Sequence, residues 1–235
     1  MRASTLVVSP HLDDAVLSCG HFLLTRPQSV VATVLAGNPG DGRLSDWDRD
    51  CGFVEGDDPV ARRREEDRAA LELVGALPRH LDFLDRPYRD GRDPNAGGVI
   101  RVEDVASQLA DLVHELSPTL VLIPMGLLHP DHELTHEAGS LLLQSSPGME
   151  LWAYMDLPYG LAHPQTVRSR LENLRHRGLR ALRVPADTPP QADVKREATA
   201  RYASQVDTVR NDLGREAWER TFLFGSEQFW RLTLS

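Results

Sequence analysis

Lysine is almost absent from this chain: Lys195 is the only one among 26 lysine and arginine side chains. Cysteine is nearly as scarce. Cys19 and Cys51 stand far apart and form no C-x-x-C pair, which excludes a disulfide framework and a thiolate zinc cluster; Cys19 reads as a small core residue. No stretch approaches the roughly eighteen uninterrupted apolar residues of a membrane span, and no basic segment leads into a long apolar one at the start. The expectation is therefore a cytoplasmic protein with no membrane partner. Basic clusters are missing as well. With a formal net charge of −9, nucleic acid and anionic membranes are excluded as partners. Internal repeats and low-complexity tracts are also lacking.

What is present suffices for a sizeable core. The chain has 235 residues, 41% hydrophobic and 26% charged, and a single domain over residues 1–235 is the simplest expectation. Short β-branched runs alternate with longer amphipathic stretches, the pattern of an α/β protein with a parallel sheet. Strands are predicted near 6–8, 30–35, 80–84, 120–124 and 151–155, and helices over 14–24, 60–75, 102–116 and 132–143. Two long irregular gaps, 37–59 and 85–98, follow strands on the side where open α/β sheets bind ligands, and either can shape a substrate mouth. The first holds Asp41, Asp46, Asp48, Asp50, Glu55, Asp57 and Asp58 against Arg43 and Arg49. As a rim, its field would favour cationic substrates; a solvated acidic loop is the alternative. A proline-containing stretch over 185–190 precedes a tail too short for its own core.

Chemistry concentrates in two turns. The stretch SPHLDDAVLSCG, residues 9–20, sets two adjacent aspartates directly after the first apolar run. His11 and Asp14, three apart in a tight turn, can aim at one point with Asp13 beside it. A divalent metal gives the paired carboxylates a reason to coexist, because its charge offsets their repulsion. Capping of the following helix accounts for one aspartate only. A catalytic zinc wants three protein ligands and one open position. The best third is in LLHPDH, where His129 and His132 occupy the equivalent turn after the run at 120–124. If the first and fourth strands adjoin where chain order reverses, both turns meet over one crevice. A competing pattern overlaps the second turn. HELTH, residues 132–136, fits H-E-x-x-H, which would make Glu133 the base and His132 and His136 ligands of a zinc metalloprotease.

PHLDD near the start and HPDH after the fourth strand together resemble the LmbE-like, or PIG-L, zinc-dependent de-N-acetylases. Arg63, Glu66, Ala70 and Gly75 in RREEDRAALELVG look like that family's R-x-x-E-x-x-x-A helix, and KREATARYASQ is similar to its late helix ending in Ser-Gln. The resemblance implies a Rossmann-like three-layer sandwich with a mostly parallel sheet. It implies that His11, Asp14 and His132 bind Zn2+ and that Asp13 is the general base. His129 would stand near the carbonyl oxygen, oriented by Asp131, while Arg63 and Asp90 contact the sugar. Two positions depart from the family. Ala15 stands where the family often has Glu, and Leu127 where it can have a tyrosine that serves the oxyanion; whether Tyr154 or Tyr159 substitutes is open.

The function expected from these readings is removal of an N-acyl group, acetyl first, from an amino sugar or its conjugate, a small-molecule substrate. Cleavage of a larger amide such as a sugar-linked thiol conjugate stays open, as does a non-catalytic carbohydrate-binding protein on the same fold.

Overall fold

The apolar run at the start of the chain becomes the middle of a sheet. The computed structural model describes residues 4–89, 99–146, 148–185, 192–223 and 226–235. Among them are seven strands: β1 (Thr5–Ser9), β2 (Val30–Thr33), β3 (Leu77–His80), β4 (Leu120–Pro124), β5 (Glu150–Tyr154), β6 (Leu179–Val184) and β7 (Phe229–Leu234). They form one sheet in the order β3-β2-β1-β4-β5-β7-β6. The first five pair in parallel, and β7 runs antiparallel to both of its neighbours. The helices are α1 (Asp14–Leu24), α2 (Asp46–Asp50), α3 (Pro59–Leu73), α4 (Arg86–Arg89), α5 (Val102–Leu116), α6 (Pro130–Ser140), α7 (Leu142–Ser145), α8 (Tyr159–Ala162), α9 (Pro164–His176), α10 (Ala192–Thr199), α11 (Val206–Leu213) and α12 (Arg215–Arg220).

Strand side chains alternate between faces, and both faces of a parallel sheet need helical cover. Leu6 and Val8 of β1 pack into one cluster with Leu109 and Leu116 of α5, Ala138 of α6 and Leu174 of α9. Val7 faces the opposite way, into a cluster with Val16 and Leu23 of α1, Leu71 of α3 and Ala198 of α10. The result is the expected three-layer arrangement. No helix among the described residues is long and apolar enough to cross a membrane.

Helices α1 and α5 have the predicted bounds; several other elements differ. β3 lies at Leu77–His80, upstream of the expected 80–84, and residues 81–84 contribute only the isolated bridges Leu35 to Asp82 and Gly37 to Leu84. Pro78 is tolerated because β3 is an edge strand. Expectation omitted β6 and β7 altogether. α6 starts two residues earlier than predicted, with Pro130 in its first turn, where a missing N–H costs nothing. Of the stretch over 185–190, residues 186–190 lie outside the described residues.

The lone lysine is a core residue. Lys195 of α10 is fully buried, and its Nζ donates to Thr221 O at 3.0 Å and to the Glu227 carboxylate at 2.7 Å. Glu227 also accepts from the backbone N–H groups of His21 and Phe22 in α1, at 2.8 and 3.0 Å. Gly20 leaves the room this requires, since a Cβ there would come within 2.9 Å of Lys195 Cγ. One ion pair thus joins α1, α10 and the approach to β7. Breaking a buried pair strands the surviving charge, at a cost of about 3–5 kcal/mol. Lys195→Met should lower unfolding stability by that amount in urea, and adding Glu227→Leu should recover part of it; an unchanged single variant would contradict the assignment.

Candidate active site

Because β1 and β4 are adjacent while their chains depart in opposite directions along the sheet, the turns after them meet over one crevice. Ser9 shapes the first turn: its hydroxyl donates to His11 O at 2.7 Å and accepts from Ala15 N at 3.0 Å. Asp14 tightens it by accepting from His11 N at 2.9 Å. Asp13 occupies the N-cap position of α1, yet its side chain makes no capping hydrogen bond. The helix start is served by Ser9, so capping does not account for Asp13.

One oxygen, Asp14 Oδ2, lies 3.1 Å from His11 Nδ1 and 3.1 Å from His132 Nε2. His132 is fixed from behind by Asp156, whose carboxylate lies 2.7 Å from Nδ1 and also accepts from Leu127 N at 3.1 Å. The buried Nε2 of His132 meets Asp14 Oδ2 at hydrogen-bond distance but without regular hydrogen-bond geometry. The rings of His11, His129 and His132 form a triangle with centroids 5.0, 5.3 and 5.5 Å apart. Two imidazoles converging on one carboxylate, one of them backed by a second carboxylate, form a nitrogen and oxygen donor set that suits a catalytic divalent cation.

The electrostatics divide the two aspartates. Burial raises the Asp14 carboxyl, but the adjacent His132 and His11 outweigh it and hold the group well below the usual carboxylate range. Asp13 is pushed up to about 7, by burial first and by Asp14 second. Burial disfavours a charged His132, yet Asp14 and Asp156 bring it up to about 9. His129 is pushed down to about 4, by burial and then by the other two histidines. Its Nδ1 accepts from Asp131 N at 3.2 Å, so the neutral ring carries its proton on Nε2.

The remaining expected residues are distributed as follows. The Asp131 carboxylate is 3.4 Å from His11 Nε2 and pairs with Arg89, so it backs His11 and touches His129 only through its backbone. Arg63 is buried beneath loop 37–59, with Nη1 2.7 Å from the fully buried Asp48. Asp90 lies outside the described residues. Of the two tyrosines, Tyr154 donates to Val8 O inside the core at 2.9 Å, whereas Tyr159 faces the crevice and crosses His132 edge-on at 5.4 Å. His136 of the HELTH pattern does not line the crevice, and its Nδ1 sits 2.7 Å from Pro124 O. Two sets of potential ligand atoms converge among the described residues, His11, His129 and His132 in one and His11, Asp85 and Asp131 in the other; His136 is in neither, and Asp14 joins His11 and His132 through Oδ2 instead.

The crevice opens into a cavity of about 320 Å³ with Asp13 and His129 at its polar end and Leu17, Trp47, Pro87 and Val209 on its walls. Of loop 37–59, only Trp47 lines it among the described residues. The loop's acids are spent locally: Asp48 on Arg63 and Ser45, Asp58 on the start of α3, Asp41 and Asp46 on neighbouring arginines. Asp85, 3.3 Å from His11 Nε2, reaches the cavity from the described part of the second loop. Sequence reasoning missed Asp85 and Asp156, and it left Tyr159 open beside Tyr154. Asp156 lies two residues past the end of β5, a position that by itself does not distinguish it from a solvated turn residue.

The family profile described as GlcNAc-PI de-N-acetylase, PIG-L, matches residues 6–143. The chain belongs to the PIG-L family. That match spans both turns of the site but ends before Asp156 and Tyr159, so the PIG-L profile does not itself account for them. Among PIG-L-like relatives, 2'-N-acetylparomamine deacetylase of Niallia circulans is 27% identical over 239 residues, covering 87% of this chain and 82% of the relative. The zinc-inhibited form of teicoplanin deacetylase Orf2 superposes with a TM-score of 0.78 at 28% identity, covering 98% of each chain. The A40926 pseudoaglycone deacetylase Dbv21 gives 0.76 at 27% identity, over 100% of this chain and 98% of its own.

The burial of Arg63 yields a test of its role. Arg63→Met leaves Asp48 buried without its partner and should cost about 3–5 kcal/mol while opening loop 37–59 to limited proteolysis. Unchanged stability together with lost substrate affinity would instead make Arg63 a direct substrate contact.

Proposed function

We propose that the protein is a metal-dependent de-N-acetylase that hydrolyses the acetamide of an amino sugar or amino-sugar conjugate. The observation that carries this reading is the division of the adjacent carboxylates: Asp14 is shared by His11 and His132, while Asp13 is left facing the cavity. Paromamine-type and glycopeptide-type sugars, the substrates named for its relatives, set the class to try first. The same reading takes residues 1–235 as one catalytic domain.

In this proposal His11, Asp14 and His132 hold the cation, with Asp156 and Asp131 orienting the two imidazoles. A divalent ion supplies an electrophile for the amide carbonyl and acidifies water. Zinc suits such a donor set, and iron or cobalt also fits. Asp13 takes the proton from the attacking water and returns it to the departing amine. His129, protonated on Nε2, donates to the oxygen on which negative charge develops. Tyr159 closes the same side of the cavity, where the family tyrosine expected at Leu127 is lacking. The metalloprotease alternative would need His136 at the site, and its hydrogen bond to Pro124 O speaks against that.

Five measurements test the proposal. Acetate release from N-acetylglucosamine and 2'-N-acetylparomamine should vanish on chelation and return with one equivalent of zinc, cobalt or iron. Asp13→Ala should keep its metal yet lose turnover by roughly a hundredfold or more. Asp14→Ala should lose the metal, and Asp156→Ala should weaken its affinity by about 10–100-fold. Glu133→Ala should stay active; an inactive Glu133→Ala beside an active Asp13→Ala would reverse the assignment.

A further inference from the structure

α10 ends at Thr199, and the Ser204-Gln205 pair that the sequence placed at the end of a helix lies in the turn before α11, against the helix that carries Arg63 and Glu66. Ser204 donates from both its N–H and its hydroxyl to the Glu66 carboxylate, the hydroxyl at 2.7 Å, and Tyr202 OH donates to Asp67 at 2.8 Å. Glu66 and Asp67 are both buried. Two carboxylates of α3 therefore fix the turn over 202–205 rigidly. The next residue is treated differently. Gln205 is only 7% exposed and lines the catalytic cavity, yet its side-chain Nε2 is buried and has no hydrogen-bond partner among the described residues.

A buried amide nitrogen without an acceptor costs stability, and of the buried side-chain atoms without a partner among the described residues Gln205 Nε2 alone belongs to a residue lining this cavity, which points to an acceptor on a ligand. The surroundings narrow its chemistry. Gln205 immediately precedes α11, and Val209 lies one turn further on, its N–H donating to Gln205 O at 3.0 Å. Val209 packs against the apolar cluster of Leu17, Trp218 and Phe222, and Leu17 lies one turn along α1 from Asp13. The amide lines the same cavity as Leu17, Val209 and the base candidate Asp13. Asp13, Asp14 and Asp85 line the same cavity, which disfavours an anionic acceptor.

We propose that Gln205 is a specificity-determining residue, whose amide donates to an uncharged hydroxyl oxygen of the sugar while Leu17 and Val209 cover an apolar face of the ring. The inference rests on the hydrolytic reading above in taking the ligand to be an acylated amino sugar. A hydroxyl contact away from the reacting carbonyl strengthens substrate and transition state alike, so its loss falls on KM and spares kcat.

Gln205→Met keeps the length of the side chain and removes the polar group. Its thermal midpoint should equal or exceed that of the unsubstituted protein. Its KM for 2'-N-acetylparomamine or N-acetylglucosamine, and its Kd for the same sugars by NMR titration, should rise roughly tenfold with kcat within about twofold. A lowered midpoint overturns the inference, because the amide is then structural. Unchanged KM and Kd overturn it too, and so does a fall confined to kcat, which would put the contact at the carbonyl. Binding of these sugars that depends on Gln205 without any acetate release would overturn the hydrolytic reading and leave this one standing. Neither binding nor release by the unsubstituted protein would overturn both.

Discussion

A single carboxylate oxygen organises this molecule. Asp14 Oδ2 lies between an imidazole from the turn after β1 and an imidazole from the start of α6, 3.1 Å from each. A charge at that depth is tolerable only with partners, and the partners come from the two strands that the sheet topology makes neighbours. The rest of the crevice is arranged around it. Ser9 braces the turn, Asp156 holds His132 from behind and Asp131 backs His11. Asp13 inherits the like-charge repulsion, which is what separates two chemically identical neighbours.

β1, β2 and β4 were legible because they are buried on both faces and read as apolar runs, whereas β3, LPRH at the sheet edge, has no buried residue and was expected three residues downstream. The antiparallel half of the sheet was not legible. β6 has the sequence LRALRV at the sheet edge, where arginines and half-exposed leucines alternate, and the signal drowns in the arginine-rich background. In the site, the two turns were legible from residue types and spacing alone. Asp156 was not, because a lone aspartate after a strand looks like any solvated turn until His132 is placed beside it. Asp131 was read as the partner of His129, its neighbour two residues before, whereas its carboxylate reaches across to His11.

Charge counting alone does not describe loop 37–59. Seven acids suggest a field over a substrate mouth; five of them serve local geometry in one capping box, a turn, a helix cap and ion pairs, and none of the seven lines the cavity. The loop's contribution to the cavity is an aromatic ring, Trp47. Arg63 and Glu66 follow the same pattern: each is a charged residue on a motif helix, and each is absorbed in holding another segment, Asp48 in one case and Ser204 in the other. A motif residue is thus a statement that a position matters, and burial decides whether it matters to the ligand or to the frame.

The sealed ammonium of Lys195 has a chemical consequence. With every other basic side chain on this protein either guanidinium or imidazole, the folded chain offers acylating and carbonyl reagents no side-chain amine to attack. Nζ becomes nucleophile only when α10 separates from α1, so lysine modification in this protein is a clock for that opening.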